Sequence, residues 1–592
     1  MKKILTITLS LVLATAGYAQ IKPADQAKLP VMTKDVKVMP AYLTPDAKPN
    51  RGGTVTLRLP ASPTSFNMYG VIDNNTNAVL FNVLDPLVEV NPVTKEVEPA
   101  LATSWKLEGN TITFKLRDIK WSDGEPFTAD DVVFTFENYA QNDKAMGNNV
   151  SLFGKLEDKK FVWSKVDDRT VKVTMKETYG PIFYSLTFIR IVPQHALASK
   201  FVAGDPGSVN KPWTTDVDPA TIVGTGPYAV EKYLPDQKVI MKRNPYSYRV
   251  DTKGNLLPYA DKLEFLVIKD NEVATLKFQV GEIDYIDVAA DQFPSLKAKE
   301  KNLPISIFRA SPTNPTPSLQ HISFNLDSKN ADLKALFRNK DFRNGVEFAL
   351  DRAKLIDQVW NGLAILPGAY MLPTNKSWYN PEVAKIQRKF DPAKATAAFD
   401  KAGLKAKNSD GWRTFANGKP VEFVLTTSTA KADADTAVIL QASLKALGIK
   451  CEIQILDANL TGQKFGAGDY DVSLRAFGNQ PDPELRRGIY QPTGNLYYWH
   501  PSVGSNPTEA KMDEMLPFEK ELFDLFQKGA VEIDQAKRKV FYDRMQVIYA
   551  EETPLIFVVN GMNLYGANKD LGNYYQDKAG LINYTSYTVY RK

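Results

Sequence analysis

Residues 421–456 read VEFVLTTSTAKADADTAVILQASLKALGIKCEIQIL, and the hydrophobic period changes twice along them. Val421 to Thr426 is a short apolar and β-branched run, the composition of a strand. From Ala432 to Leu447 the period lengthens to that of a helix, with Leu440, Leu444 and Leu447 on one face. Gly448 then stands where a helix wants a left-handed residue to close it. From Cys451 to Leu456 the alternation returns, with Cys451 on the apolar side of Glu452 and Gln454. Strand, helix and strand in succession make a βαβ unit, so this half of the chain is expected to carry a mainly parallel sheet. Cys451 is the only cysteine, and its place on an apolar face predicts a buried, inert thiol with no disulfide.

Outward from this unit, residues after about 325 alternate longer helices with strands. Phe342 to Trp360 reads as one amphipathic helix closed by Asn361-Gly362. Before about 320 strand signals dominate. Ile112, Phe114 and Leu116 alternate with polar residues, as do Val171, Val173 and Met175, while Leu263 to Ile268 is nearly all apolar, as in a strand covered on both faces. Thr128-Ala129-Asp130-Asp131 opens a helix as a capping box. A strand-rich half followed by an α/β half predicts two lobes.

The chain has 592 residues with a formal charge of +5. Met1 to Ala19 reads as a signal peptide: Lys2 and Lys3 precede an uncharged apolar run, and Gly17-Tyr18-Ala19 supplies small residues at the cleavage site. Cleavage after Ala19 removes those two lysines, leaving +5 − 2 = +3. The run is shorter than the roughly 20 residues a bilayer span needs, and no Cys follows the cleavage site to take a lipid. The expected location is therefore the periplasm, free of an anchor. The remaining charges are scattered, which argues against nucleic acid as a partner. Gln20 to about residue 52 shows no sustained period and reads as an extended linker or a segment laid across the surface.

Reactive constellations are missing. The three histidines, His195, His321 and His500, are far apart, and no pair has metal-ligand spacing. Gly224-Thr225-Gly226-Pro227-Tyr228 lacks the Gly-Lys-Ser/Thr of a phosphate loop and precedes a strand, so it is read as a turn. No Gly-x-Ser-x-Gly elbow occurs. A carboxylate pair for glycoside hydrolysis is the one enzyme reading left open. No enzyme, metal or cofactor is expected.

A resemblance adds to this reading. Glu98-Pro99-Ala100-Leu101-Ala102-Thr103-Ser104-Trp105, then Phe114-Lys115-Leu116-Arg117, then Trp121-Ser122-Asp123-Gly124-Glu125-Pro126-Phe127-Thr128-Ala129-Asp130-Asp131-Val132 resembles the family 5 extracellular solute-binding proteins, the periplasmic dipeptide and oligopeptide binders of ABC importers. Val192-Pro193-Gln194-His195, Arg243-Asn244-Pro245, Ala349-Leu350-Asp351-Arg352 and Gly468-Asp469-Tyr470-Asp471 follow in family order. The resemblance implies an α/β, two-lobed periplasmic-binding-protein type II clamp (cluster C, with an extra subdomain in lobe one), built of mixed sheets with flanking helices. Lobe one would be 53–322 plus a C-terminal return at 559–592, and lobe two 323–558. The implied role is a monomeric binding component that closes on a peptide and delivers it to the permease subunits in the inner membrane. An oligosaccharide ligand, or a sensor that presents ligand to a receptor, is the alternative.

The resemblance also places the ligand contacts. In the dipeptide and oligopeptide binders an Asp four residues before a Pro pairs with the ligand's α-ammonium, and counting back from Pro483 puts Asn479 there. Asn supplies no charge to offset burial of a cation, so the resemblance carries peptide N-terminus recognition no further than this position. Phe477 and Gly478 belong to the same motif, and Asp482 is the nearest acid. Tyr490, Tyr497, Tyr498 and Trp499 are candidates for stacking on the ligand, and Arg486 with Arg487 for a carboxylate.

Overall fold

The computed structural model describes residues 35–40, 43, 49–69, 74–91, 96–146, 153, 159–202, 205–309, 318–478, 480–494, 496–504, 512–573 and 586–592. The leader, most of the segment read as a linker, and Asn479 lie outside the described residues.

The 421–456 unit forms as its periodicity dictates. Glu422–Ser428 and Lys450–Leu456 pair in parallel, from Glu422 opposite Lys450 to Ser428 opposite Leu456. Helix Lys431–Ala446 joins them, burying Leu440 and Leu444, and Gly448 closes it at φ +80°. Cys451 is buried, and burial pushes its thiol up to about 12. The full sheet orders Lys450–Leu456, Glu422–Ser428, Val472–Gly478, Ser318–Phe324 and Leu555–Phe557. Four strands run one way, and Ser318–Phe324 runs against its two neighbours.

One element departs from expectation. Phe342 to Trp360 is two helices, Lys340–Ala349 and Arg352–Gln358. Leu350 is extended between them (φ −83°, ψ 105°), and the Asp351 carboxylate accepts from Lys354 N at 3.0 Å. A capping Asp inside an apolar period starts a new helix there. Asn361 and Gly362 close the second at φ 50° and 76°.

The first half is built of sheets. Thr54–Leu59, Lys262–Val267, Lys238–Arg243 and Tyr228–Leu234 form one, and Ala102–Glu108, Thr111–Leu116, Thr170–Met175 and Phe161–Asp167 another. Within Lys262–Val267, Leu263 and Phe265 enter the large first core, while Leu266 packs on a smaller one. Helix Ala129–Thr135 has its capping box. Asp131 accepts from Thr128 N and Gln194 N at 2.8 Å and from Trp121 Nε1 at 3.2 Å, tying the Trp121 turn to two helix starts. Gly224 is a turn residue as read. A Cβ there would stand 1.9 Å from Val83 O, so only glycine lets this turn lie against the Val83 backbone.

Lys37–Val38 pairs in parallel with Arg249–Val250, and Lys37 forms an ion pair with Glu89. The segment before the body is thus held across the first half at this point. Near the C-terminus, Leu564–Asn568 lies between Tyr285–Asp287 and Ile305–Arg309. The apolar interior divides accordingly. One core holds residues from the first half together with Tyr565, Tyr587, Val589 and Tyr590. A second spans Leu319 to Val559. The third and smallest gathers Ile268, Ile286, Ile307, Leu363 and Leu564 where the chain passes between the other two.

Candidate functional site

Strand Val472–Gly478 ends at that passage. Gly478 is the register partner of Ser318, the first residue described after Arg309, which ends a strand of the first half. Arg475 and Phe477 are two residues apart and so share a face. The Arg475 guanidinium carbon lies 4.3 Å from the Phe477 ring centre and 4.9 Å from those of Phe465 and Tyr498. Phe477 in turn stacks on His321, at 5.1 Å and 17°, and on Tyr498, at 6.3 Å and 25°. Phe477 and Tyr498 are half-buried. The strand end therefore offers an aromatic shelf with a guanidinium behind it.

His321, beneath the shelf, is fully buried. Burial first, and the neighbouring Arg475 charge second, lower its pKa to about 3. Its folded value thus lies below its unfolded value, so the unfolded chain binds the extra proton between about pH 3 and 6.5. Stability is full above that window and falls as the pH drops through it, by at most about 1.4 kcal/mol per pH unit. His321→Gln should flatten this limb when unfolding is followed in denaturant from pH 7 to pH 4. An unchanged slope would show that His321 does not supply it.

The loop after the strand is anchored by buried charge. Asp482 accepts from Glu484 N at 2.9 Å, starting the turn Pro483–Arg486. Its two oxygens also accept from Arg538 Nη1 at 2.7 Å and Nη2 at 3.0 Å. Burial works against the Arg538 charge, but Asp482 more than offsets it and holds the guanidinium above its ordinary value. Glu484 accepts from Arg487 at 2.7 Å and from the Tyr542 hydroxyl at 2.8 Å. Burial raises its carboxyl, partly countered by Arg487 and Tyr542.

The structure redistributes the expected contacts. Asp482 is 0 % exposed and committed to Arg538, so it holds the loop and does not face solute. Tyr490 packs on Tyr370 and Tyr549, and Tyr497 on Trp499 with its hydroxyl on Glu519. Three of the four aromatics named as stacking candidates, Tyr490, Tyr497 and Trp499, are in the second core; packing outcompeted exposure in a segment this rich in rings. Arg487 is held by Glu484 and Gln527. Phe477, Gly478 and Arg486 remain half-exposed near the strand end, with Tyr498 beside Phe477. Arg475 was not singled out in the sequence, although a cation two residues from an aromatic on a strand signals a shared face.

A helix of the second half is also hydrogen-bonded to the first half. Helix Pro517–Val531 leaves carbonyls free at its end. Gly180 N donates to Ala530 O at 2.8 Å, and Thr178 Oγ1 to Val531 O at 2.7 Å. Elsewhere, Asp327, His500 and Glu514 bring three ligand atoms within 4.8 Å of one another. Arg338 Nη2 already lies 3.0 Å from both His500 Nε2 and Asp327 Oδ1, so a guanidinium supplies the positive charge at this cluster. Among the described residues, no helix is long and apolar enough to cross a membrane.

Residues 96–495 match the bacterial extracellular solute-binding proteins, family 5 middle. Over 556 residues the chain is 25 % identical to the oligopeptide-binding protein AppA of Bacillus subtilis, covering 90 % of this chain and 91 % of that one. It is 28 % identical over 498 residues to the periplasmic alpha-galactoside-binding protein of Rhizobium meliloti, covering 78 % and 69 %. In three dimensions it superposes on MelB from Agrobacterium fabrum, solved in complex with stachyose, with a TM-score of 0.74 at 22 % identity, covering 96 % of this chain and 90 % of that one.

Proposed function

We propose, for a chain that belongs to family 5 of the bacterial extracellular solute-binding proteins, that it captures a solute between two closing lobes and delivers it to the permease of an ABC importer. The observation that carries this reading is the aromatic shelf of Phe477 and Tyr498 at the end of strand Val472–Gly478, set beside the place where the chain passes between its two main cores. Lobe one is residues 53–309 with the return from 564, and lobe two is 318–557. We draw the boundary before Ser318, rather than at residue 322, because the whole of Ser318–Phe324 pairs in the second sheet. The sheet Ala102–Glu108 to Phe161–Asp167 is the extra subdomain. Export to the periplasm with cleavage after Ala19 belongs to the same proposal.

Within this reading the solute is a peptide or an oligosaccharide. AppA supports the first by its name and MelB the second by its bound stachyose. The two acids of the loop after the strand, Asp482 and Glu484, are spent on Arg538, Arg487 and Tyr542, so neither is free to pair with a buried peptide ammonium. Native mass spectrometry of protein from its own host tests the role. The expected spectrum shows a chain starting at Gln20 and one non-covalently held solute per chain, released unchanged on denaturation. Catalytic conversion of that solute by the protein would refute the binding role.

A further inference from the structure

The ion pairs of the loop leave one sign of charge over. Between Arg475 and Arg487 the chain carries Arg475, Asp482, Glu484, Arg486 and Arg487. Asp482 is paired with Arg538, and Glu484 with Arg487. Arg475 and Arg486 have no carboxylate within ion-pair distance among the described residues. Buried nitrogens of both, Nε and Nη1 of Arg475 and Nε of Arg486, make no hydrogen bond among those residues. Arg475 is at least faced by three aromatic rings. Among the described residues, no aromatic ring faces Arg486 in this way.

The position of Arg486 is set by the strand end. A Cβ on Gly478 would lie 2.7 Å from Arg486 Nη2, so the missing side chain makes room for the guanidinium at the strand end. That end is bonded to Ser318, where the chain enters lobe two. A half-buried guanidinium without an acceptor is costly unless something else supplies the anion. Among the described residues, the strand end therefore holds a cation with no carboxylate paired to it.

We infer that the solute carries an anionic group, a carboxylate or its equivalent, which is met by Arg486 at the end of strand Val472–Gly478. This rests on the solute-binding reading and names the chemistry that reading leaves open. A peptide would supply the anion from its C-terminus or an acidic side chain, and a sugar from a uronic acid.

Calorimetry with matched probes tests it. The pairs are a short peptide as free acid and as C-terminal amide, and an oligogalacturonate against the neutral sugar stachyose. In one pair the acid should bind at least about tenfold more tightly, and which pair responds identifies the source of the anion. Arg486→Gln should bring that pair to within about twofold, with the melting temperature of the free protein unchanged. The solute released from native protein should be anionic at pH 7. Equal binding of acid and neutral probes, a preference that survives Arg486→Gln, or release of a neutral or cationic solute would overturn the inference and leave the binding role standing. A protein that retains no solute and binds no probe of either charge would overturn both.

Discussion

Asp482→Ala is expected to destabilise the protein by about 3–5 kcal/mol, because it leaves the Arg538 charge buried without its partner. Arg538 is 3 % exposed. Its Nε donates to Gly529 O at 3.0 Å, and its guanidinium lies 4.9 Å from the Trp378 ring. None of these groups replaces a carboxylate. The same change removes the cap of the Pro483–Arg486 turn, so Arg486 loses its fixed position and solute affinity should fall with stability. Thermal or denaturant unfolding of the single mutant measures the first effect. Pairing the change with Arg538→Met, which removes the stranded charge, should recover most of the loss. A single mutant within about 1 kcal/mol of the parent would show that the pair does not anchor the loop.

Gly180→Ala should weaken solute binding with little effect on folding. In the structure a Cβ at residue 180 would lie 2.1 Å from Glu532 O and 2.7 Å from Arg538 Nε. In the proposed division both belong to the second lobe, whereas Tyr179 and Ile182, on either side, pack in the first core. The overlap exists only while the lobes touch, so the methyl group is accommodated by opening. Overpacking of this kind costs about 1–3 kcal/mol, which is about five- to hundred-fold in affinity. The melting temperature of the solute-free protein should stay near that of the parent. A mutant of unaltered affinity would mean that the contact of Gly180 with Ala530 and Glu532 is not part of the closed form.

These two sites also mark where the sequence was and was not legible. The βαβ unit, the Gly448 closure and the Thr128 cap could be read because each is decided within a few residues, by period or by a local hydrogen bond. The break at Leu350 was masked because an apolar period of the right spacing ran through it, and Asp351 looked like one polar residue in a helix. The burial of Tyr490, Tyr497 and Trp499 depends on helices that arrive later in the chain, as with Tyr549 against Tyr490 and Glu519 beneath Tyr497. The Asp482–Arg538 pair spans 56 residues and the Thr178–Val531 bond 353. No local pattern announces such partners. Family resemblance supplied the region of the site, and side-chain geometry then separated Phe477 and Arg486 from neighbours absorbed by the core.

The most direct test of the two-lobed clamp is small-angle X-ray scattering of the protein carrying the solute it retains, compared with the same protein stripped by unfolding and refolding. Closure around a solute predicts a smaller radius of gyration for the loaded form, a return to the larger value on stripping, and recovery of the smaller one when the solute is added back. A radius unchanged by saturating solute would contradict capture between closing lobes.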